Sequence, residues 1–468
     1  MIRDRKKWPV ASGQWPVKTE WLCAALLMAG SAFAAANDSF IIRNADVFPV
    51  TGPEIKGASI LVQDGKIADI GTKIVPPKGM KVVDAKGMRV YPGMIDSGTE
   101  LGLSEVSGER VTVDTGELGE FMPQLKALIA VNPESEHFGT ARVGGVTSAI
   151  TFPAPTARGG GGGRGGGTTQ YISGEAALIH TSGWTWEDME ILRDAAIQLN
   201  FPAIRGRGGR GGNADFNPDE TAGAAGGAAT GFAEQKRQYD LQIAKINDFF
   251  DAARQYLKER TMNAPGFKKD LKMEAMIPVL EGKVPVAVVA SRARSIHDAI
   301  LFADKQHVRI IIIAPHDIDK VGAELKAKNI PVILGRTEQL PENEDSPYDE
   351  AFTIPAEAYK AGVKFAFGTL GSDTNEFVRN IGLNAARAIA FGLPAEEGLK
   401  AVTINAAEIW GVADKMGSIE KGKWADLIVA NGDPLDATTE IKQVFIKGKE
   451  IEMMNKQIRL YEKYKARP

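Results

Sequence analysis

The chain has 468 residues, and 56 Lys and Arg stand against 59 Asp and Glu, which gives a formal net charge of −3. This near-neutral balance argues against nucleic acid or an anionic membrane as a partner, and the single cysteine excludes an internal disulfide and a cysteine-based zinc cluster. With 25% charged and 44% hydrophobic residues, the composition is that of a folded globular protein.

Residues 1–36 have the pattern of a secretory signal peptide. Basic residues at positions 3, 5, 6, 7 and 18 precede an apolar run from Trp21 to Ala34, and small residues close it. The run is shorter than the roughly 20 residues of a transmembrane helix, which favours a signal peptide. An uncleaved N-terminal anchor is the alternative. We expect an exported protein, periplasmic or secreted, with no membrane partner after cleavage.

β-rich segments at both ends of the mature chain predict a composite β-sandwich from residues 37–90 and 416–455. Ser59–Val62 and Ile67–Gly71 flank an Asp-Gly pair, which is a hairpin signal. Short strands and turns recur over residues 425–430 and 444–450. Residues 456–468 are expected to form a C-terminal tail.

The segment between these ends, residues 91–415, alternates short apolar runs with helical patterns. Thr147–Phe152 and Val308–Ala314 are two such runs, and Ala233–Lys258 has the apolar spacing of a surface helix. The alternation predicts an α/β fold with a parallel sheet covered by helices. Its length fits a (β/α)₈ TIM-type barrel, and a doubly wound sheet is the structural alternative.

Glycine is in excess, with 51 residues, and much of the excess lies in insertions at about 157–167 and 204–231. Such runs carry few apolar side chains and predict loops. A lid or a partner-docking loop is one interpretation, and a tolerated insertion is the other. Their Arg-Gly-Gly pieces are short, so nucleic-acid binding is not expected.

Three stretches resemble the amidohydrolase superfamily, most closely its imidazolonepropionase-like branch. They are VYPGMID at residues 90–96, AVTINAAE at 401–408 and GSIEKGKWADLIV at 417–429, of which the third is highly specific. The resemblance spans about residues 40–448. It implies a metal-dependent-hydrolase fold, with a (β/α)₈ barrel and a small β-sandwich, and hydrolysis of non-peptide C–N bonds in amides or cyclic amides.

The resemblance also implies metal ligands that the sequence does not contain. The family has His-x-His after the first barrel strand, one His after each of the fifth and sixth strands, and Asp after the eighth. Here Ser-Gly-Thr stands at residues 97–99, and Val289, Ala314 and Leu370 take the other positions. Hydroxyl groups are poor zinc ligands compared with imidazole. We therefore expect no cofactor, although the family implies zinc or another divalent metal.

Five other residues are candidates for a site at the expected barrel mouth. Glu100, His316 and Asp373 follow the first, sixth and eighth strands, so they are expected to open on one face and to serve as acid or base groups. Thr99 and Arg292 are candidate ligand contacts. Each also has a structural interpretation, as a solvated loop residue, a helix cap or a member of a surface ion pair.

The other four histidines are interpreted as structural or surface residues. His137 precedes an expected strand, His180 follows an apolar run, and His297 and His307 lie in or beside the helix before the sixth strand. The chain has 5 histidines in all, and none stands at an expected ligand position.

Three functions are consistent with this sequence. The first is a C–N hydrolase with an altered or degraded metal site. The second is a catalytically inactive relative that binds a small molecule or stabilises an active paralogue. The third is an enzyme that uses loop carboxylates without a metal. A small-molecule ligand or substrate is expected in each case, and a homo-oligomer or a heteromer with a paralogue is possible.

Overall fold

A computed structural model describes residues 39–106, 108–153, 170–204, 231–341, 346–371 and 375–467. The predicted signal peptide, the glycine-rich residues 157–167 and 205–230, and Asp373 lie outside the described residues. The described part of the chain forms sixteen strands. They are β1 (Phe40–Val47), β2 (Ile55–Gln63), β3 (Lys66–Gly71), β4 (Lys81–Asp84), β5 (Arg89–Pro92), β6 (Met94–Thr99), β7 (Val146–Thr151), β8 (Ile172–His180), β9 (Glu190–Asn200), β10 (Val286–Val289), β11 (Ile310–Ile313), β12 (Val332–Leu334), β13 (Phe365–Phe367), β14 (Leu427–Ala430), β15 (Ile441–Ile446) and β16 (Lys449–Ile451).

Twelve α-helices lie within the described ranges, and none of them is both long and apolar enough to cross a membrane. The helix predicted at Ala233–Lys258 is confirmed, and it spans Phe232–Thr261. The helices are α1 (Ala127–Ala130), α2 (Glu136–Val143), α3 (Trp186–Met189), α4 (Phe232–Thr261), α5 (Leu271–Leu280), α6 (Ala293–Gln306), α7 (Ile318–Ala327), α8 (Glu350–Lys360), α9 (Ile381–Ala390), α10 (Ala395–Ala401), α11 (Ile404–Ile409) and α12 (Lys456–Lys465).

The first sheet takes strands from both ends of the described chain. Its order is β16-β15-β14-β5-β1-β2-β3, with β4 beside β1. The β2–β3 hairpin turns at Asp64 and Gly65, whose φ angles of 50° and 76° fit the Asp-Gly turn that the sequence predicts. Leu427 pairs with Pro92 in the antiparallel β5–β14 ladder, which joins the two ends. The domain bounds at 37–90 and 416–455 stay a prediction.

The second sheet is the barrel, with the order β13-β12-β11-β10-β9-β8-β7-β6. The predicted TIM-type barrel with a small β-domain is confirmed, but one strand runs against expectation: β8 pairs antiparallel with both β7 and β9. Only residues 181–189 separate β8 from β9, which is too short for a helical crossover between parallel strands. The other seven strands end at one face, called the mouth here. The opposite face is the floor.

The barrel interior is a hydrophobic core. All eight barrel strands contribute side chains to it, including Ile95, Ile150, Leu178, Ile311 and Ile333, all of which are buried. The α11 segment adds Ala406, Ala407 and Trp410 to the same core. Their burial stabilises the fold by about 1.5–3 kcal/mol for each large side chain. The lumen is therefore packed with side chains, as expected for an eight-stranded barrel.

A buried carboxylate joins the first and last barrel strands. Asp96 Oδ1 accepts the backbone N–H groups of Gly98 and Thr369, each at 3.0 Å, and Oδ2 accepts the Thr369 hydroxyl. Leu370 N donates to Gly98 O at 2.8 Å. A Cβ on Gly368 would stand 2.9 Å from Gly98 N, so the close approach of β6 and β13 requires glycine at that position. The seam of the barrel thus depends on Asp96 and the glycines beside it.

We predict that Asp96→Ala lowers the free energy of unfolding by roughly 3 kcal/mol or more, because it leaves two buried N–H groups and a hydroxyl without an acceptor. Asp96→Asn keeps an oxygen for both N–H groups and offers Nδ2 to the Thr369 hydroxyl oxygen, so we expect a much smaller loss. Chemical denaturation at neutral pH measures both. Equal losses for the two variants would contradict the account of the seam.

We also predict that the difference in stability between the wild type and Asp96→Asn depends on pH. Burial raises the pKa of Asp96 to about 6, although the bonds from Thr369 and Gly98 oppose the rise. Because the folded pKa lies above the unfolded value of 3.8, the stabilisation from the bound proton is complete below pH 3.8 and is lost as the pH rises through 6. The wild type should therefore lose stability relative to Asp96→Asn across this window. A constant difference from pH 4 to 7 would contradict it.

Candidate functional site

The mouth brings together the positions where the resemblance places metal ligands. Ser97 and Thr99 lie at the end of β6, Val289 ends β10, Ala314 follows β11, and Leu370 is the third residue after β13. Val289, Ala314 and Leu370 all pack against the apolar core of the lumen. At three of the five positions the mouth therefore presents hydrocarbon where a metal site needs nitrogen or oxygen.

The two hydroxyl positions on β6 differ in their contacts. Thr99 Oγ1 donates to Asn375 Oδ1 at 3.3 Å, and Asn375 Nδ2 donates to Ser104 O at 2.8 Å. Ser97 Oγ is buried and has no hydrogen-bond partner among the described residues. A buried hydroxyl without a partner is uncommon in folded proteins and is often satisfied by water or a ligand. The Thr99 hydroxyl is thus used in a hydrogen bond within the protein, whereas the Ser97 hydroxyl can still accept or donate one.

The backbone at two of the five positions is left-handed. The φ angle is +55° at Ala314 and +38° at Leu370. This region is unfavourable for most L-residues, but histidine and aspartate adopt it several times more often than others do. These are the residue types that the resemblance places at the two positions. The backbone conformation of a ligand-bearing mouth is therefore present, but the side chains are alanine and leucine.

The candidate residues at the mouth differ in their burial and contacts. Glu100 is only 8% exposed, directly after β6. His316 is half-buried, and its backbone N–H donates to Ser291 O at 2.8 Å. Arg292 pairs with Asp317, with 3.5 Å between Nη1 and Oδ1. Asp373 cannot be placed, because it lies outside the described residues.

Asp317 organises the ends of β10 and β11. Its Oδ2 accepts the Ala293 N–H at 2.8 Å at the start of α6, and its Oδ1 contacts Lys320 and Arg292. Burial alone would raise the pKa of this carboxyl, but the Ala293 N–H, Lys320 and Arg292 together hold it below the ordinary value. The geometry gives Arg292 a structural partner within the protein.

A second buried polar group lies at the floor of the barrel. The His180 Nδ1 atom is 3.4 Å from Ser148 Oγ and 3.9 Å from Asp426 Oδ2, and Asp426 belongs to the β-domain. Burial, with a contribution from Lys447, lowers the pKa of His180 to about 3. Burial raises the pKa of Asp426 to about 6, against the Lys447 N–H that it accepts. The histidine is therefore neutral at pH 7, and the contact is not an ion pair.

This floor cluster does not have the arrangement of a hydrolytic triad. In a triad the serine and the carboxylate contact opposite nitrogens of the imidazole. Here Ser148 and Asp426 both face Nδ1, and Nε2 has no partner among the described residues. Trp424 packs on the ring at 5.4 Å, which encloses the cluster further. The structural interpretation of His180 from the sequence agrees with these contacts.

The side chains at the mouth do not fit the family's metal. Within the described ranges, no group of three or more His, Cys, Asp and Glu side chains is placed to hold an ion. Zinc sites in proteins require three or four nitrogen, sulfur or carboxylate ligands. The mouth offers two hydroxyls and three hydrocarbon side chains at the aligned positions, so no catalytic step through a metal can be derived for them.

We predict that the left-handed backbone at Ala314 changes the cost of removing its methyl group. Ala→Gly in regular structure costs about 0.5–1 kcal/mol, but glycine relieves a left-handed position by a similar amount. Ala314→Gly should therefore leave the free energy of unfolding nearly unchanged. Ala290→Gly, at a buried position without positive φ beside β10, is the matched control and should lower it by about 1 kcal/mol. Equal losses would contradict strain at Ala314.

Comparison with known proteins is consistent with the fold and the motifs. Residues 297–451 match the family model described as Amidohydrolase family. The structure is similar to that of an amidohydrolase from Thermotoga maritima MSB8, with a TM-score of 0.71 and 27% identity over 88% of this chain and 99% of that one. No curated protein matches the sequence.

A more distant structure shows the fold alone. It is an uncharacterized protein with a TM-score of 0.51 and 17% identity, covering 88% of this chain and 99% of that chain. The resemblance to the imidazolonepropionase-like branch stays a prediction. The family match over residues 297–451 and the Thermotoga structure show that this chain is similar to amidohydrolases in sequence and in fold.

Proposed function

We propose that this protein is an exported amidohydrolase-superfamily member whose barrel mouth binds a small molecule but does not carry out metal-dependent hydrolysis. One observation carries the proposal. Val289, Ala314 and Leu370 take three of the five aligned ligand positions, and their hydrocarbon side chains pack on the lumen core. A divalent ion cannot be held there without imidazole or carboxylate groups.

The character of the mouth supports ligand binding. Valine and leucine side chains offer apolar contact, and the buried Ser97 hydroxyl has no partner among the described residues. Pockets for small molecules are commonly apolar with a few polar groups that orient the ligand. The proposed ligand is thus a small, mainly apolar molecule that has one hydrogen-bonding group.

A C–N hydrolase with an altered site is the second candidate. It is favoured by the family match over residues 297–451 and by the 27% identical structure, which is named an amidohydrolase. Glu100 is a buried carboxyl at the mouth and is the described residue best placed for acid or base work. This candidate would use amides or cyclic amides as substrates, with zinc or another metal bound in a way that the aligned positions do not provide.

An activity measurement separates the two candidates. We expect the purified chain to hydrolyse amides, cyclic amides and dipeptides no faster than buffer, with or without added Zn²⁺, Mn²⁺ or Mg²⁺. The reason is the absence of ligands that would lower the pKa of a bound water. Metal-dependent turnover by the unmodified chain would contradict the proposal and support the second candidate.

Ligand binding is measured in parallel by thermal shift with a library of small amides and carboxylates. A bound ligand should raise the melting temperature, with a shift that grows as the logarithm of the ligand concentration once this exceeds Kd. Leu370→Asp, which places a charge in the apolar mouth, should abolish the shift. Leu340→Asp is the matched control on a fully exposed position and should not change the shift. A library without any binder would contradict ligand binding by the mouth.

Export is part of the proposal and rests on residues 1–36. We expect the mature protein, isolated from cells that express the full sequence, to begin near Ala34 or Ala36. N-terminal sequencing of the protein from separated cell fractions measures this. A protein that retains Trp21 to Ala34 and sediments with membranes would support the uncleaved anchor instead.

A further inference from the structure

The C-terminal helix α12 is amphipathic and almost entirely exposed. None of its residues is buried, and Tyr461 and Tyr464 are 61% and 50% exposed. Isolated helices of ten residues are marginal in water, so an uncovered helix of this length gains from a packing partner. Five basic residues lie in 456–467 against the single acidic residue Glu462. They are Lys456, Arg459, Lys463, Lys465 and Arg467.

The basic residues and the tyrosines form one continuous patch, called the basic helix here (residues 456–467). Lys465 Nζ lies 5.3 Å from the Tyr461 ring centroid, and Arg467 Cζ lies 4.8 Å from that of Tyr464. Of the five cations, only Arg459 pairs with a carboxylate among the described residues. Cations that are stacked on rings and not neutralised are suited to an acidic partner that also has apolar side chains.

A surface of that kind is present on the same chain, in the loop after β6. Residues 108–118, called the acidic rim here, contain Glu109, Asp114 and Glu117 against one base, Arg110. Val111 and Leu118 in this segment are 90% and 76% exposed. The backbone of the acidic rim is hydrogen-bonded to the loop that precedes it, since Asp114 N donates to Leu103 O at 2.7 Å. It matches the basic helix in charge and in apolar content.

The two surfaces lie beside each other on one flank. Arg459 of the basic helix pairs with Glu136 at 2.8 Å, in the first turn of α2. The next residue, His137, contacts Glu105 O through Nε2 at 3.0 Å, just before the acidic rim. Among the described residues, Glu109 and Asp114 of the acidic rim make no ion pair with the basic helix of the same chain. A two-fold axis between the two surfaces would place each against its complement on a second copy.

We propose that the chain forms a two-fold homodimer in which the basic helix of each copy docks on the acidic rim of the other. A second copy is favoured over other occupants because the complement in charge and apolar character is found on the chain itself. An anionic lipid surface would be repelled by the adjacent acidic rim, which lies on the same flank. The dimer does not depend on the proposed function of the mouth, so either can fail alone.

The proposed interface joins opposite charges, so its strength should depend on salt. Raising the ionic strength from about 0.1 M to 1 M shortens the screening length from roughly 10 Å to 3 Å. Sedimentation velocity of the full chain should show a dimer that dissociates across this range. Lys463→Glu/Lys465→Glu should raise the dimer Kd more than tenfold. Adding Glu109→Lys/Asp114→Lys in the same chain should restore association.

Lys268→Glu/Lys269→Glu is the matched control, because it makes the same charge change on an exposed loop away from α12. It should leave the dimer intact, and circular dichroism checks that every variant is folded. A wild type that stays monomeric at low salt would overturn the proposal. A dimer insensitive to the Lys463/Lys465 change would also overturn it, as would a monomer that binds anionic vesicles.

Discussion

The barrel depends on one buried carboxylate at its seam. Between β6 and β13 the described residues form no regular ladder, and the two strands are joined through Asp96, which accepts both backbone and hydroxyl donors. Gly98 and Gly368 allow the backbones to come together there, because side chains at these positions would collide. The positions of Ser97 and Leu370 at the mouth follow from this closure, since each is adjacent to a residue in it.

The mouth has left-handed backbone at two of the positions where the resemblance to amidohydrolases places metal ligands, but it does not have the ligand side chains. Ala314 and Leu370 adopt left-handed angles that cost alanine and leucine about 1 kcal/mol each. Backbone strain of this kind is typical of functional sites and persists where the surrounding structure enforces it. The strain is understood if the barrel geometry was inherited with histidine and aspartate at these positions. The mouth offers apolar contact and one buried hydroxyl. These features suit the binding of a small molecule better than hydrolysis.

Much of the fold could be predicted from local patterns. The Asp64-Gly65 hairpin and the α4 helix depend on turn chemistry and periodicity, which neighbouring residues encode. The pairing of the two ends was predicted because both ends are rich in short strands and the segment between them is not. The direction of β8 could not be predicted, because an apolar run does not specify the direction of its strand. The partners of Asp96 and His180 could not be predicted either, because Thr369 and Asp426 are distant from them in sequence. At the mouth the missing ligands were predicted by alignment of motifs, whereas the left-handed angles required the structure.

The central claim is that the barrel persists without the superfamily's metal centre. The most direct measurement is anomalous diffraction at the zinc edge from crystals of the unmodified chain soaked in Zn²⁺. The account predicts no anomalous peak among Ser97, Thr99, Val289, Ala314 and Leu370. A strong peak at the mouth, within about 2.0–2.3 Å of protein nitrogen or oxygen atoms, would contradict it.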